Sequence, residues 1–177
     1  MDIVKTYTLN ELGFLINFPF PNEHRMFIEN ALKSINLHSQ KEIQANLDKA
    51  LGDKLREYGY TDNEEKCSFW LPEFRKRVDL YHPDAGIAIE VEKAEIKRIV
   101  HDVLKLINGS LTFVPKIKYG VLVIPEHYFV NDRGAGADKS KSFESTARKD
   151  IKFYFGNIIP NKTNLQDILI VVYKSER

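Results

Sequence analysis

A single cysteine, Cys67, stands in the 177 residues of this chain. Disulfide frameworks and cysteine-built zinc sites both need several sulfurs, so neither can be formed, and so low a thiol count fits a reducing cytoplasm. Long hydrophobic runs are missing as well. No stretch reaches the roughly 18 apolar residues of a membrane span, and the opening "MDIVKTYTLNELGFLINF" carries acidic residues where a secretory leader has a basic region and an apolar core. A soluble cytoplasmic protein with no membrane partner is expected. Charge of one sign is also lacking: 26 Lys and Arg face 25 Asp and Glu. With no overall basic field, any anionic ligand must be met by a local patch.

What is present is enough apolar material for a real core, 43% of the residues, in a length that suits one domain over residues 1–177, since domains commonly run to roughly 100–200 residues. Residues 1–60 read as a helical N-terminal part. In "EHRMFIENALKSINL", Met26, Phe27, Ala31, Leu32 and Ile35 recur at helical spacing, and "QKEIQANLDKALGDKLREYGY" sets Ile43, Leu47, Leu51 and Leu55 on one stripe. Pro19 and Pro21 fence off the first helix, and Gly59 closes the second.

Beyond residue 75 the pattern changes to strands. Val78 and Leu80 alternate with Arg77, Asp79 and Tyr81, "HPDAG" supplies turn residues, and Ile87–Glu92 forms the second arm of a hairpin. "KAEIKRIVHDVLKLINGS" then returns to helical spacing through Ile96, Ile99, Val100, Val103, Leu104 and Ile107, with Asn108-Gly109 as its expected C-cap. "YGVLVIP" reads as a strand buried on both faces, Phe143 to Tyr154 as a helix, and "DILIVVY" as a last strand. The expected fold is of the α/β (α+β) class, a mixed central sheet flanked by helices.

The hairpin poses a chemical question. Side chains alternate along a strand, so Ile87, Ile89 and Val91 share one face while Glu90 and Glu92 interrupt the other, with Asp79 nearby on the first arm. Carboxylates gathered this closely repel unless a cation or a proton lies between them or water bathes them. Mg²⁺ is the natural occupant, because it takes oxygen ligands, keeps waters and completes its shell with substrate phosphate oxygens. Lys93 faces away from Glu92 on the same alternation.

Asp79, ten intervening residues, then Glu90-Val91-Glu92 on a strand followed by a helix and a buried strand, resembles the core of the PD-(D/E)xK nuclease superfamily, over about residues 75–125. Two departures mark this chain: Val78 precedes Asp79 where the name has proline, and Glu92 holds the place of the lysine, an E-x-E variant. The resemblance implies a restriction-endonuclease-like core and a type II restriction endonuclease that hydrolyses double-stranded DNA as a homodimer. It further implies Mg²⁺, with Mn²⁺ as a substitute, held by Asp79, Glu90 and Glu92, with Glu92 orienting the attacking water or accepting its proton.

Basic residues supply the candidates for DNA contacts. Lys97, His101 and Lys105 repeat at i, i+4 and i+8 with Arg98 beside them, which suits either phosphate contacts or an ordinary solvated helix face. The loop "NDRGAGADKSKS" adds Arg133, Lys139 and Lys141, either as a backbone-binding patch or as a plain surface loop. Two other functions suit the same residues: a binding module that keeps the nuclease fold without catalysis, and a repair or structure-specific nuclease.

Overall fold

The computed structural model describes residues 1–68, 76–93, 97–113, 115–127, 142–157 and 163–174. Its elements follow in the order β1 (Ile3–Thr8), α1 (Asn22–Ser34), α2 (Gln40–Leu55), α3 (Glu64–Cys67), β2 (Leu80–His82), β3 (Ile87–Val91), α4 (Lys97–Thr112), β4 (Tyr119–Pro125), α5 (Phe143–Asn157) and β5 (Asp167–Tyr173). The start of α2 is fixed by a reciprocal cap: the Glu42 N–H donates to Ser39 Oγ at 3.2 Å, and the Ser39 N–H donates to Glu42 Oε2 at 3.1 Å. The expected stripe Ile43, Leu47, Leu51 and Leu55 is buried throughout. In α1 the register differs from expectation, since Ile28 is fully buried while Met26 is 57% exposed. The helix turns Ile28, Ala31 and Leu32 inward as its core face.

The five strands form one mixed sheet in the order β1-β5-β4-β3-β2. β3, β4 and β5 run parallel, while β2 and β1 close the two edges antiparallel to β3 and β5. The central strands read as continuous apolar runs because both faces are covered. Ile87, Ile89, Val91, Val121, Val123, Leu169 and Val171 pack with the stripes of α1 and α2, and Ala88, Leu122, Ile124, Ile168 and Ile170 pack with Ile99, Val103 and Leu106 of α4 and Phe143, Ala147 and Ile151 of α5. Glu90 shares the parity of Ala88. It is therefore aimed at α4, in what would otherwise be core.

Two sequence expectations are corrected here. Residues Ile3–Thr8 form an edge strand, not part of a wholly helical first third. Helix α4 runs through Asn108-Gly109 to Thr112, because Gly109 serves close approach and not termination: a Cβ there would run into Ile117 Cδ1 and stand 3.4 Å from Phe113 Cδ2. Among the described residues, no helix is long and apolar enough to cross a membrane.

Candidate active site

The hairpin places its acids through backbone constraints. The turn after β2 reverses the chain at Gly86, at φ +65°, whose N–H donates to His82 O at 2.9 Å. Asp79, just before β2, accepts the Val91 N–H on Oδ2 at 2.8 Å, and so clamps itself to the end of β3. Glu92 continues the ladder past the strand, its N–H donating to Val123 O at 2.9 Å, and its own carbonyl accepts from Tyr173 Oη at 3.2 Å. Two neighbouring strands thus hold the backbone beneath the acids. Lys93, past the end of β3, pairs with Asp48 of α2 at 3.0 Å.

Asp79, Glu90 and Glu92 all line one cleft of about 620 Å³ at the carboxyl end of β3. Its other walls include Asp48 and Lys93 on one side and Arg98, His101, Asp102 and Lys105 of α4 on the other. Glu90 is 1% exposed and Glu92 3% exposed, so these acids are far from a solvated strand face. Burial, and then the neighbouring Asp79 charge, push the Glu90 carboxyl well above the usual carboxylate range. Burial also raises Asp79, although the hydrogen bond from Val91 and the Lys105 charge oppose it.

Sequence reasoning grouped Lys105 with a phosphate-facing or solvated helix face. In the structure it turns inward: its Nζ is bonded to Glu90 Oε2, pairs with Asp102 Oδ1 at 3.1 Å and lies 3.4 Å from the Arg77 carbonyl. Burial alone would disfavour the ammonium, but Glu90 and Asp102 outweigh it and hold the Lys105 pKa above its ordinary value. Asp102 is pushed up to about 6, mainly by burial. Asp102 escaped notice in the sequence, yet a signal existed: it falls in the stripe Ile99, Asp102, Val103 and Leu106, an acid at a core position of an amphipathic helix. Arg98 and His101 are exposed at the cleft wall. The Lys97 side chain and residues Arg133, Lys139 and Lys141 lie outside the described residues.

For a metal, the informative atom is Glu90 Oε1. It is buried and has no hydrogen-bond partner among the described residues, while the other oxygen of the same carboxylate is engaged by Lys105. An unpartnered carboxylate oxygen in so dry a place is costly unless a cation or a proton meets it. Among the described residues no three His, Cys, Asp or Glu side chains form a ready cage. A hard cation that relies on one or two carboxylates, water and substrate oxygens fits that geometry, whereas a zinc-type cage does not.

No curated protein matches this chain in sequence. Among solved structures, the restriction endonuclease BglII, crystallised in complex with a DNA 16-mer, superposes with a TM-score of 0.64 at 13% sequence identity, over 98% of this chain and 77% of that one. The mixed five-stranded sheet with its helices is thus the restriction-endonuclease fold. Residues 17–169 match the family model described as "Putative halobacteria restriction endonuclease", a span that takes in both arms of the acidic hairpin, helix α4, strand β4 and the start of β5; the chain belongs to that family.

Proposed function

We propose that this protein is a Mg²⁺-dependent endonuclease that hydrolyses phosphodiester bonds of double-stranded DNA, a type II restriction enzyme acting as a homodimer. The observation that carries the reading is Glu90, a buried carboxylate with one oxygen unpartnered, set beside Asp79 at the wall of an open cleft in a chain of a restriction endonuclease family. Asp79 and Glu90 would hold the cation, with Glu92 next to them. When bound, the cation supplies Lewis-acid polarisation of the scissile phosphoryl group and of an attacking water. Glu92 orients that water and accepts its proton. Arg98 and His101, exposed on the cleft wall, would meet backbone phosphates near the reacting one. Burial of the acids serves this chemistry, because charges act on one another more strongly where water is excluded.

The test is direct. Long duplex DNA of known sequence, incubated with the purified protein, should yield discrete fragments with Mg²⁺ or Mn²⁺ and none with EDTA. Asp79→Ala and Glu90→Ala should each lower the cleavage rate by about 10³-fold or more while circular dichroism stays native. Cleavage retained by both variants overturns the site assignment. A smear in place of bands favours a structure-directed or nonspecific nuclease, and intact DNA under every condition favours a binding module.

A further inference from the structure

Glu90 divides its two oxygens. Oε2 is bonded to the ammonium of Lys105, and Oε1 is buried without a partner among the described residues. A cation on Oε1 and the ammonium on Oε2 would then stand on either side of one carboxylate, facing the same cleft. Lys105 comes from helix α4, a full element away from the strand that carries Glu90 and Glu92. Its side chain is 17% exposed, so it is neither sealed in the core nor free in solvent. Two further contacts restrain it, Asp102 Oδ1 at 3.1 Å and the Arg77 carbonyl at 3.4 Å.

Resting on the nuclease reading, we propose that Lys105 is a catalytic residue, the fixed cation that contacts the scissile phosphate, and that Asp102 is the positioning residue that aims it. In the reaction the water oxygen forms a bond to phosphorus. The P–O3′ bond breaks with its electron pair leaving on O3′; one water proton passes to Glu92 and on to solvent, O3′ takes up a proton from solvent, and the second water proton stays with the new phosphate or is released. Negative charge grows on the non-bridging oxygens as this happens. An ammonium held in place beforehand stabilises that charge without having to reorganise, and it keeps its proton throughout. Asp102 matters because a lysine stem is long and flexible, and a second acceptor besides Glu90 confines its end.

The alternative is that Lys105 merely neutralises two buried acids. The two roles differ in what Mg²⁺ can restore. The experiment compares wild type, Lys105→Met and Asp102→Asn on a plasmid bearing the site that the wild type cuts, reading kcat, KM and, separately, the melting temperature in saturating Mg²⁺. Lys105→Met keeps the apolar stem, and Asp102→Asn keeps shape and leaves the Glu90–Lys105 pair intact, so the second variant serves if the first is poorly folded. The expected result is a fall in kcat of about 10²–10³-fold for Lys105→Met and of about tenfold for Asp102→Asn, with KM within about threefold of wild type in both. A Lys105→Met protein that melts low in EDTA, but in Mg²⁺ both regains its melting temperature and cuts at the wild-type kcat, overturns the inference, as does an unchanged kcat for Asp102→Asn. If the wild type itself leaves all duplex DNA intact, the nuclease reading has failed and this inference goes with it; if the wild type cuts and the variants cut equally well, this inference alone has failed.

Discussion

Under the proposed function Asp79 would serve chemistry at the expense of stability, and its surroundings say in which direction a substitution moves each. Its folded-state pKa is raised, mainly by burial, so the folded protein binds this proton more tightly than the unfolded chain does. A raised carboxyl pKa stabilises the fold at low pH, and that contribution is lost as pH rises from the unfolded value of about 4 through the folded one. Asp79→Asn removes the charge and keeps an oxygen able to accept the Val91 N–H. In EDTA the variant should therefore melt above wild type by roughly 2–4 °C near pH 7.5, the equivalent of about 1 kcal/mol in a domain of this size. The gap should close as pH falls towards 4, and cleavage should be abolished. Comparing variant with wild type cancels opposing groups such as His24, whose pKa burial lowers. A melting gap that is absent, or that does not depend on pH, contradicts the picture of an acid held in an unfavourable place for its chemistry.

At the level of elements, the hairpin sets the distance between Asp79 and Glu90, and Gly86 sets the hairpin. Its φ of +65° is one that side-chain-bearing residues rarely adopt, and a Cβ there would sit 2.8 Å from the Lys116 carbonyl oxygen. The same residue's carbonyl accepts from Lys118 at 2.7 Å and Tyr119 at 3.0 Å, where β4 begins beside β3. Gly86→Ala should lower stability by about 1–3 kcal/mol, a fall of roughly 3–10 °C in melting temperature, and the expected readout is a thermal melt; a melt unchanged within 1 °C or so would mean that the turn relaxes freely. This hairpin was legible in the sequence because turn residues and period-two alternation name it directly, and "YGVLVIP" and "DILIVVY" were legible because strands covered on both faces are apolar without interruption. β1 was not: Val4 and Lys5 lie exposed side by side, and the register slips between Ile3 and Lys5, so no clean alternation survives at this edge. The ion pair of Lys105 with Glu90 was not legible for a different reason. Spacing of four along a helix gives a shared face only to within a fraction of a turn, and the long stem of a lysine at its margin can follow a buried charge inward. Which acid it meets depends on how α4 lies against β3, and that is a tertiary fact.

For the whole molecule the question is how one cleft would cut both strands of the proposed duplex substrate. Each chain offers Asp79, Glu90 and Glu92 once, and the near balance of 26 basic and 25 acidic residues gives no general field to hold DNA. Affinity would then come from local cations such as Arg98 at the cleft wall, and a second copy would strengthen binding through simultaneous engagement. Two-fold symmetry matches the symmetry of a palindromic duplex and brings one cleft to each strand, which is the physical case for the proposed homodimer. The plasmid assay separates the possibilities. A dimer that engages both strands should convert supercoiled plasmid to linear product with little nicked circle accumulating, and its mass by light scattering should be twice the 20.5 kDa of the chain. A lone chain must nick first, dissociate or turn around, and cut again, so nicked circle should build up before linear product and the yield of linear DNA should rise with the square of the early nicking. Persistent nicked intermediate together with a mass of one chain would overturn the homodimer while leaving the assignment of Asp79, Glu90 and Lys105 intact, because each of those residues acts within a single cleft.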